Sequence, residues 1–374
     1  MQTIFILMYS MALLMIPNSF IQIKKMKFWI TLFIVCACML YYVLWRLFTI
    51  FHNNAKIIPL IISIILALVL ALTFMYQWDN KVIDIVWTIS TRIFVLWFIL
   101  TVLLSIEHLI SIRYKINPRI IVWIIIIIFW LWAYFSLHTK TTYLNIETNK
   151  VHKDTTILVV SDIHAENVTQ NFHINKILKT IEQEKPDFVV IAWDLMNKPN
   201  TGYIKYFSAF KSVKDIPIFA VMWNHDVMWN TKIVKDIPNN SRIIFLNNEK
   251  LEINWIQLIW IIDKSLWWNN SISNIMDQIN LDKNSDLFSI LITHQPISLE
   301  KLKDYPIDLE VAWHTHRGQF YWMRKIVEWL NDYAYWEYKL WDRTAFVTQW
   351  IWTWGLPFRL GTQSEIVIIY LKRK

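Results

Sequence analysis

The stretch TILVVSDIH, residues 156–164, decides the fold of the larger part of this chain. It joins a β-rich apolar run, Thr156–Ser161, to a polar turn that contains Asp162 and His164. Runs of this length and composition are typical of β-strands. Because ligands in open α/β folds bind just beyond the carboxyl ends of strands, Asp162 and His164 are candidate ligand-binding residues.

Four further apolar strands end in polar residues of the same kinds. The sequences that close them are Trp193-Asp194, Trp223-Asn224-His225-Asp226, Thr293-His294 and Trp313-His314-Thr315-His316. An isolated Asp-x-His or His-x-His is common in surface turns and indicates little. Five such elements in order, each closing an apolar strand, indicate a single site built from the ends of successive strands.

The C-terminal segment, from Thr141 to Lys374, alternates β-rich runs with amphipathic stretches and predicts one α/β domain. The strand candidates are Thr156–Ser161, Phe188–Ala192, Ile218–Met222, Arg242–Leu246, Ile256–Ile262, Phe288–Thr293, Leu309–Ala312, Ala345–Thr348 and Glu365–Leu371. The helix candidates are His173–Glu184, Tyr203–Val213 and Ser273–Ile279. This segment is long enough to bury a core of its own.

The imidazole, carboxylate and Asn carbonyl groups of these motifs are suited to binding Mn²⁺, Fe or Zn²⁺. Two ions about 3.5–4 Å apart require a bridging carboxylate, and such a pair makes hydroxide available near neutral pH. Asp194 is the candidate for the bridge. Of the seven histidines beyond residue 140, five lie in these motifs, and the other two, His152 and His173, are predicted at the surface.

The order of these motifs resembles the calcineurin-like metallophosphoesterase family, whose pattern is DxH…GD…GNHD/E…H…GHxH. The stretch Trp313–Gln319, the segment Val347–Gly361 and the apolar N-terminal runs together resemble its membrane-anchored bacterial subfamily. The resemblance covers about residues 141–374. It implies a four-layered αββα sandwich with two mixed sheets, and a hydrolase acting on phosphoester or phosphoanhydride bonds.

Carried over by position, the resemblance implies two metal sites that share one carboxylate. The implied ligands are Asp162, His164, Asp194 and His316 for one ion, and Asp194, Asn224, His294 and His314 for the other. His225 would act on the phosphoryl oxygen or the leaving group, and Asp226 would orient His225. Arg317, where the subfamily usually has glycine, would either contact a substrate phosphate or lie in an exposed turn.

Glycine is rare and tryptophan abundant in this chain, with 4 Gly and 23 Trp among 374 residues. Ordinary usage of about 7% would give roughly 26 glycines. Where the resembling family has glycine, this chain has Trp193, Trp223, Trp313, Trp350 and Trp352. Glycine at such turns allows a positive φ or a close backbone approach that a Cβ would block. We therefore hypothesise that many of these tryptophans stand where the natural protein has glycine, because the gene reads UGA as Gly.

The N-terminal segment, residues 1–140, consists of apolar runs separated by short polar breaks. We predict five membrane spans of about 20 residues each, because that length crosses a hydrocarbon core of about 30 Å. They are Thr3–Gln22, Phe28–Phe51, Ile58–Gln77, Ile93–Ile112 and Ile120–Leu137. The alternative, an apolar helical bundle in a soluble protein, lacks the polar face that would recur every 3.6 residues. Flanking Lys and Arg residues are balanced across the predicted membrane, which leaves the side of the C-terminal domain open.

The formal net charge of +8 lies entirely in the segment 1–140, which holds 11 Lys and Arg against 3 Asp and Glu. The rest of the chain holds 26 of each sign, so no basic face is expected there. Nucleic acid is therefore not an expected partner. The expected partners are the membrane and a phosphorylated small-molecule or lipid substrate.

The sequence thus predicts a multi-pass plasma-membrane protein in which residues 1–140 form the transmembrane region and residues 141–374 a dinuclear-metal phosphohydrolase domain. A lipid-linked phosphoester or pyrophosphate is the expected substrate, by analogy with the resembling subfamily. Two alternatives are kept open. One is a phosphodiesterase for soluble nucleotides or cell-envelope polymers, and the other is a catalytically inactive membrane protein that only binds partners.

Overall fold

The computed structural model of the chain divides into two compact units, Met1–Trp130 and Leu131–Lys374. In the described residues the first unit is helical, and the second combines sheets with helices. The structure describes residues 34, 37–50, 59, 61–65, 67, 81–161, 163, 170–192, 204–221, 237, 241–246, 248–261, 271–282, 285–313, 315, 323–349, 351, 359 and 361–374.

The helices that precede the sheets are α1 (Ala37–Ile50), α2 (Lys81–Tyr114) and α3 (Pro118–Leu137). They overlap the second, fourth and fifth predicted spans. Within the described residues, one segment, Pro118–Phe135, is long and apolar enough to cross a membrane. A multi-span region is therefore not confirmed. The first predicted span and most of the third lie outside the described residues.

A buried ion pair joins α1 to α2. The Nε and Nη2 atoms of Arg46 each lie 2.7 Å from a carboxylate oxygen of Glu107, and Nη2 also donates to Ser111 Oγ at 3.1 Å. Glu107 is completely buried. An unpaired charge in apolar surroundings is costly, and a bidentate guanidinium satisfies both carboxylate oxygens. This pair therefore fixes how α1 and α2 are aligned.

The second unit contains twelve strands in its described residues, and they form two sheets. They are β1 (Thr139–Thr148), β2 (Thr155–Ser161), β3 (Phe188–Ala192), β4 (Ile218–Val221), β5 (Ile243–Phe245), β6 (Glu249–Ile253), β7 (Ile256–Trp260), β8 (Phe288–Ile292), β9 (Leu309–Ala312), β10 (Trp336–Leu340), β11 (Arg343–Val347) and β12 (Ser364–Arg373). The domain boundary predicted after residue 140 falls inside β1.

Both sheets have six strands and mixed direction. The first has the order β1-β12-β2-β3-β4-β5, with β2 to β5 parallel and β12 antiparallel to β2. The second has the order β10-β11-β9-β8-β7-β6, with four parallel central strands and an antiparallel strand at each edge. The helices of this unit are α4 (Gln170–Glu184), α5 (Ile204–Phe207), which continues into a 3₁₀ turn, α6 (Ile272–Ile279) and α7 (Met323–Leu330).

Three apolar clusters stack the second unit in four layers. The cluster between the two sheets contains Val190 of β3 and Ile290 of β8. The next residues along these strands point the other way, as successive side chains of a strand do. Ile191 packs with Ile177 of α4 on the outer face of the first sheet, and Leu291 packs with α6 on the outer face of the second. The αββα sandwich implied by the resemblance agrees with this arrangement.

Two hairpins of the second sheet close through two-residue turns that contain tryptophan. Between β6 and β7 the turn is Asn254-Trp255, with φ of 51° and 65°. Positive φ at both residues defines the type I′ turn, in which Asn-Gly is the favoured pair. Between β10 and β11 the turn is Trp341-Asp342, in which Trp341 has φ of 56°. Trp336, which begins β10, has φ of 79°, and bulky side chains rarely adopt such angles.

Candidate active site

Three parallel strands of the first sheet end level with one another. Ser161 of β2 pairs with Ala192 of β3, and Ala192 pairs with Val221 of β4. The first three predicted motifs follow these strand ends directly or after a short gap. The strands that precede these three motifs in the sequence therefore end at the same edge of the first sheet.

Neighbouring strands of the second sheet also end level. Ile292 of β8 pairs with Val311 of β9, and Ala312 at the end of β9 pairs with Val347 of β11. The ladder continues past the strands, because Thr293 N donates to Val311 O at 3.1 Å. The two remaining predicted motifs follow β8 and β9 directly, so they leave from this edge.

The loop after β11 ties the two sheet edges together. Ile351 N donates to Ser161 O, at the end of β2, at 3.3 Å. Farther along the same loop, Arg359 Nη2 donates to Gln349 O at 2.7 Å. The strand ends of both sheets thus meet at one end of the sandwich. The described strands that precede the five predicted motifs in the sequence all end here.

Glu365 of β12 secures the start of that loop. Its Oε2 accepts hydrogen bonds from Thr348 Oγ1 at 2.9 Å and from Gln349 N at 3.0 Å. Its other oxygen lies 2.9 Å from Lys140 Nζ of β1, and the carboxylate is buried. Sequence reasoning did not single out Glu365, because a glutamate at the start of a strand is typical of an ordinary surface residue.

His294 is the predicted site residue that the structure describes. Its side chain is almost completely buried, and its carbonyl accepts a hydrogen bond from Trp313 N at 3.1 Å. The rings of His294 and Trp313 are 6.1 Å apart and inclined by 74°. These contacts hold Trp313, the residue before His314 in the sequence, against His294. The other predicted site residues, Asp162, His164, Asp194, Asn224, His225, Asp226, His314 and His316, lie outside the described residues, and their roles stay predictions.

Trp313 is fully buried in the cluster between the sheets. Glycine was expected at this position either for a positive φ or for a close approach of the backbone. The φ of Trp313 is not positive, so the first reason does not apply. A close approach of the backbone to neighbouring groups is the reason that remains. The other site tryptophans, Trp193, Trp223, Trp350 and Trp352, and the neighbouring Arg317 lie outside the described residues.

The described part of the site fits a divalent metal in its donor chemistry. His294 supplies an imidazole just beyond a strand end, and imidazole binds divalent metals in its neutral form. No group of three His, Cys, Asp or Glu side chains suited to a metal ion occurs among the described residues. This is consistent with the placement of the predicted ligands, since only His294 belongs to the described set.

A buried carboxyl group lies on the strand next to the His294 turn. Glu310 of β9 is completely buried, and its Oε1 accepts hydrogen bonds from Thr293 Oγ1 at 2.8 Å and Ile297 N at 2.7 Å. Burial raises the pKa of Glu310 from 4.5 to about 8, although both hydrogen bonds lower it. The carboxyl is therefore protonated at neutral pH. The sequence signal for this group was a lone charge inside the apolar run Leu309–Trp313.

Replacing Glu310 with Gln is expected to remove a pH dependence of stability. The folded protein holds the Glu310 proton up to about pH 8, whereas the unfolded chain releases it near pH 4.5. The free energy of unfolding should therefore fall as pH rises between these values, by at most about 1.4 kcal/mol per pH unit. Thermal unfolding of both proteins from pH 5 to pH 8 checks this. The advantage of Glu310→Gln should grow with pH, and parallel pH profiles would contradict the assignment.

His173 was predicted at the surface, and that prediction is wrong. It lies on α4, is completely buried and shares with Ile177, four residues on, the helix face that packs on the first sheet. Burial first, and then the guanidinium of Arg359, lower the pKa of His173 to about 3. His173 is therefore neutral at physiological pH. His152 is exposed, as predicted.

Comparison with known proteins agrees with this arrangement. Residues 155–336 match the family of calcineurin-like phosphoesterases. The chain is 28% identical over 262 residues to an uncharacterised metallophosphoesterase of Campylobacter jejuni, covering 67% of this chain and 69% of the relative. It is 26% identical over 250 residues to an uncharacterised metallophosphoesterase of Helicobacter pylori, covering 66% and 68%. A Danio rerio transmembrane protein with a metallophosphoesterase domain is 24% identical over 234 residues, covering 58% and 53%.

The second unit therefore carries a calcineurin-like metallophosphoesterase domain. Proteins of this family are phosphoester hydrolases that generally use divalent metal ions. The resemblance that the sequence motifs indicated is confirmed at the level of the domain.

Proposed function

We propose that the chain is a membrane-anchored phosphohydrolase with two metal ions in its active site. The observation that carries the proposal is the convergence of strand ends from both sheets, tied by the hydrogen bond from Ile351 N to Ser161 O. The five polar motifs start at these ends. Together the motifs supply carboxylate, imidazole and amide donors, which is the composition of a dinuclear site.

The residues that would hold the metals are those implied by their positions in the motifs. Asp162, His164, Asp194 and His316 would hold one ion, and Asp194, Asn224, His294 and His314 the other. When bound, two such ions lower the pKa of a shared water and neutralise charge on the phosphoryl group. Mn²⁺, Fe and Zn²⁺ all suit this set of donors.

His225 would transfer a proton to the substrate, and Asp226 would support His225. The imidazole of His225 would hold a proton near the leaving-group oxygen, and the Asp226 carboxylate would keep that imidazole in one orientation. Neither residue is in the proposed ligand set, so the two roles can be separated by experiment.

Replacing His225 with Ala is expected to lower the hydrolysis rate by about 10²–10⁴, the usual size of a general-acid contribution. Metal content should stay at the level of the native protein, because His225 donates no electron pair to a metal. Turnover of a chromogenic phosphodiester and elemental analysis of the same sample give both quantities. Metal loss in proportion to the loss of rate would identify His225 as a ligand instead.

We propose a lipid-linked phosphoester or pyrophosphate as the substrate class. The apolar helix α3 ends at Leu137, and β1 begins at Thr139, so a membrane-inserted α3 would keep the hydrolase near the bilayer. Multiple spans in the segment 1–140 would strengthen this anchoring. The Danio rerio relative is a transmembrane protein with a metallophosphoesterase domain, which supports the combination of a membrane anchor with this domain.

A shortened chain that starts at His138 keeps β1 whole and tests the substrate class. It should hydrolyse a small water-soluble ester as fast as the full chain, since every proposed ligand lies beyond β1. On a lipid pyrophosphate in vesicles its rate should fall well below that of the full chain. Equal rates of the two proteins on vesicles would remove the case for a lipid substrate.

A phosphodiesterase for soluble nucleotides or envelope polymers is the alternative within the same chemistry. A panel of phosphomonoesters, phosphodiesters and lipid pyrophosphates separates it from the lipid-linked hydrolase. An inactive binding protein is the alternative of another class, and the competent residue types at all seven ligand positions argue against it. That alternative predicts no turnover on any member of the panel.

We also propose that many tryptophans of this sequence are glycine in the natural protein. Among the described residues, Trp255, Trp336 and Trp341 have positive φ, and Trp255 and Trp341 lie in two-residue hairpin turns. Read as glycine, these turns become Asn-Gly and Gly-Asp, which suit type I′ and type II′ geometry. A single codon reassignment produces one kind of substitution, whereas chance mutation would scatter over residue types.

A further inference from the structure

Glu310 is a buried acidic residue that the proposed chemistry does not use. In the sheet it pairs with Leu291 of β8 and Ala345 of β11. Both neighbours belong to the apolar cluster on the outer face of the second sheet. Directly paired residues share a sheet face, so Glu310 points into this cluster and away from the space between the sheets. Burying a carboxyl group in apolar surroundings costs free energy unless hydrogen bonds compensate for the lost water. The hydrogen bonds of Glu310 are therefore informative about its role.

The hydrogen bonds of Glu310 bracket one residue of the proposed site. Its Oε1 accepts from Thr293 Oγ1 at 2.8 Å and from Ile297 N at 2.7 Å. Thr293 directly precedes His294, and Ile297 follows it by three positions. A single oxygen atom therefore ties both ends of the turn that carries His294.

The backbone of the same turn is fixed on its other side. Thr293 N donates to Val311 O, and Trp313 N donates to His294 O, both at 3.1 Å. His294 is thus attached to β9 through its own carbonyl and through the hydrogen bond of its neighbour. Its ring is almost completely buried and lies 6.1 Å from the Trp313 ring, inclined by 74°.

We propose that Glu310 is a positioning residue, which holds the turn of residues 293–297 so that His294 reaches the metal site. This inference rests on the proposed function, in which His294 is a metal ligand. Partners that orient metal ligands typically affect metal affinity by about 10–100-fold. Glu310 would act through the backbone and through Thr293.

To hold this turn, the side chain at position 310 has to be neutral, accept hydrogen bonds and be long enough to reach Thr293 and Ile297. Among the described residues, Oε2 of Glu310 has no hydrogen-bond partner. Oε1 accepts both described hydrogen bonds of the group, and a neutral group in the apolar cluster avoids the cost of a buried charge. Gln presents the same acceptor oxygen at the same distance from the backbone, whereas Ala presents none. Glu310→Gln should therefore support His294, and Glu310→Ala should not.

The chain offers a matched control at the neighbouring strand end. Thr348 follows β11 as Thr293 follows β8, and its Oγ1 donates to Glu365 at 2.9 Å. Both threonines are buried. Thr293→Val and Thr348→Val each remove one hydroxyl-to-carboxyl hydrogen bond of nearly equal length. Only the first lies beside a proposed metal ligand.

The test is a Co²⁺ titration of the full-length natural protein against a competing chelator, with the visible absorption of the bound ion recorded and folding checked by circular dichroism. Glu310→Ala should weaken Co²⁺ binding by about 10–100-fold and alter the absorption band. Glu310→Gln should bind like the native protein. Thr293→Val should weaken binding more than Thr348→Val, because the Thr348 hydrogen bond supports the loop after β11 and not the turn of His294. If Glu310→Ala does not fold, the threonine pair decides.

Several results would overturn the inference. If folded Glu310→Ala or Thr293→Val bound Co²⁺ with native affinity, Glu310 would not position His294 for metal binding. Equal weakening by Glu310→Ala and Glu310→Gln would mean that the charge itself is needed. A His294→Ala variant separates this from the proposed function, because unchanged Co²⁺ binding there would remove His294 from the ligand set, whatever Glu310 does.

Discussion

Replacing Asp194 with Asn should abolish hydrolysis and lower the metal content of the protein. Asp194 is the proposed bridge, and without it neither ion has a complete ligand set. Loss of a residue that only orients a ligand costs about 10–100-fold in metal affinity, so loss of a shared ligand should cost more. Turnover of a chromogenic phosphodiester and elemental analysis measure the two effects.

Asp304→Asn is the matched control for this experiment. Asp304 is exposed and belongs to no predicted motif, so the same change of charge there should leave turnover and metal content unchanged. Native turnover in Asp194→Asn would contradict the bridge. If both variants lost activity together, a general effect on the fold would be the cause instead.

Replacing Trp255 and Trp341 with Gly should stabilise the protein as it is written here. A left-handed backbone costs an L-residue about 1–2 kcal/mol, and glycine avoids that cost. The two turns belong to separate hairpins, so their gains should add. A gain of about 1 kcal/mol corresponds to a rise of roughly 2–4 °C in the midpoint of thermal unfolding for a domain of this size.

Trp329 provides the control, because it is a strongly exposed tryptophan inside helix α7. Glycine there should lower stability by about 0.5 kcal/mol, since helix propensity favours Trp over Gly. Equal or opposite shifts for the turn and helix positions would contradict the conformational reason. The codons give the direct answer: UGG at Trp193, Trp223 and Trp313 would refute the reassignment. If it holds, glycine at these three positions should restore metal binding and activity.

The buried strands and the edge strand β5 could be predicted from the sequence, whereas the other three edge strands could not. β3 and β9 occur with the predicted bounds, because completely buried strands are mostly apolar, although β9 also contains Glu310. The missed strands β1, β6 and β10 all lie at sheet edges. An edge strand is half solvated and rich in charged or polar residues, as in the sequence EKLEI of β6. The short helix α7 was also missed, and its described side chains are at least partly exposed.

For the candidate site, the strand ends could be predicted and the supporting residues could not. A polar motif after an apolar run is visible in one sequence, and in the structure His294 lies two residues after the end of β8. Glu310 supports that turn from the adjacent strand, and no local pattern records a contact between positions so far apart in the chain. The burial of His173 and Arg359 has the same origin, since it depends on packing between distant segments.

The central claim is that strand ends of both sheets form a two-metal hydrolytic site. Elemental analysis of the natural protein, purified without added metal and assayed in parallel on a chromogenic phosphodiester, tests it most directly. The account predicts two equivalents of a divalent transition metal per chain, with turnover that a chelator removes and the same metal restores. A folded protein that binds no transition metal, or whose turnover survives complete removal of metal, would contradict it.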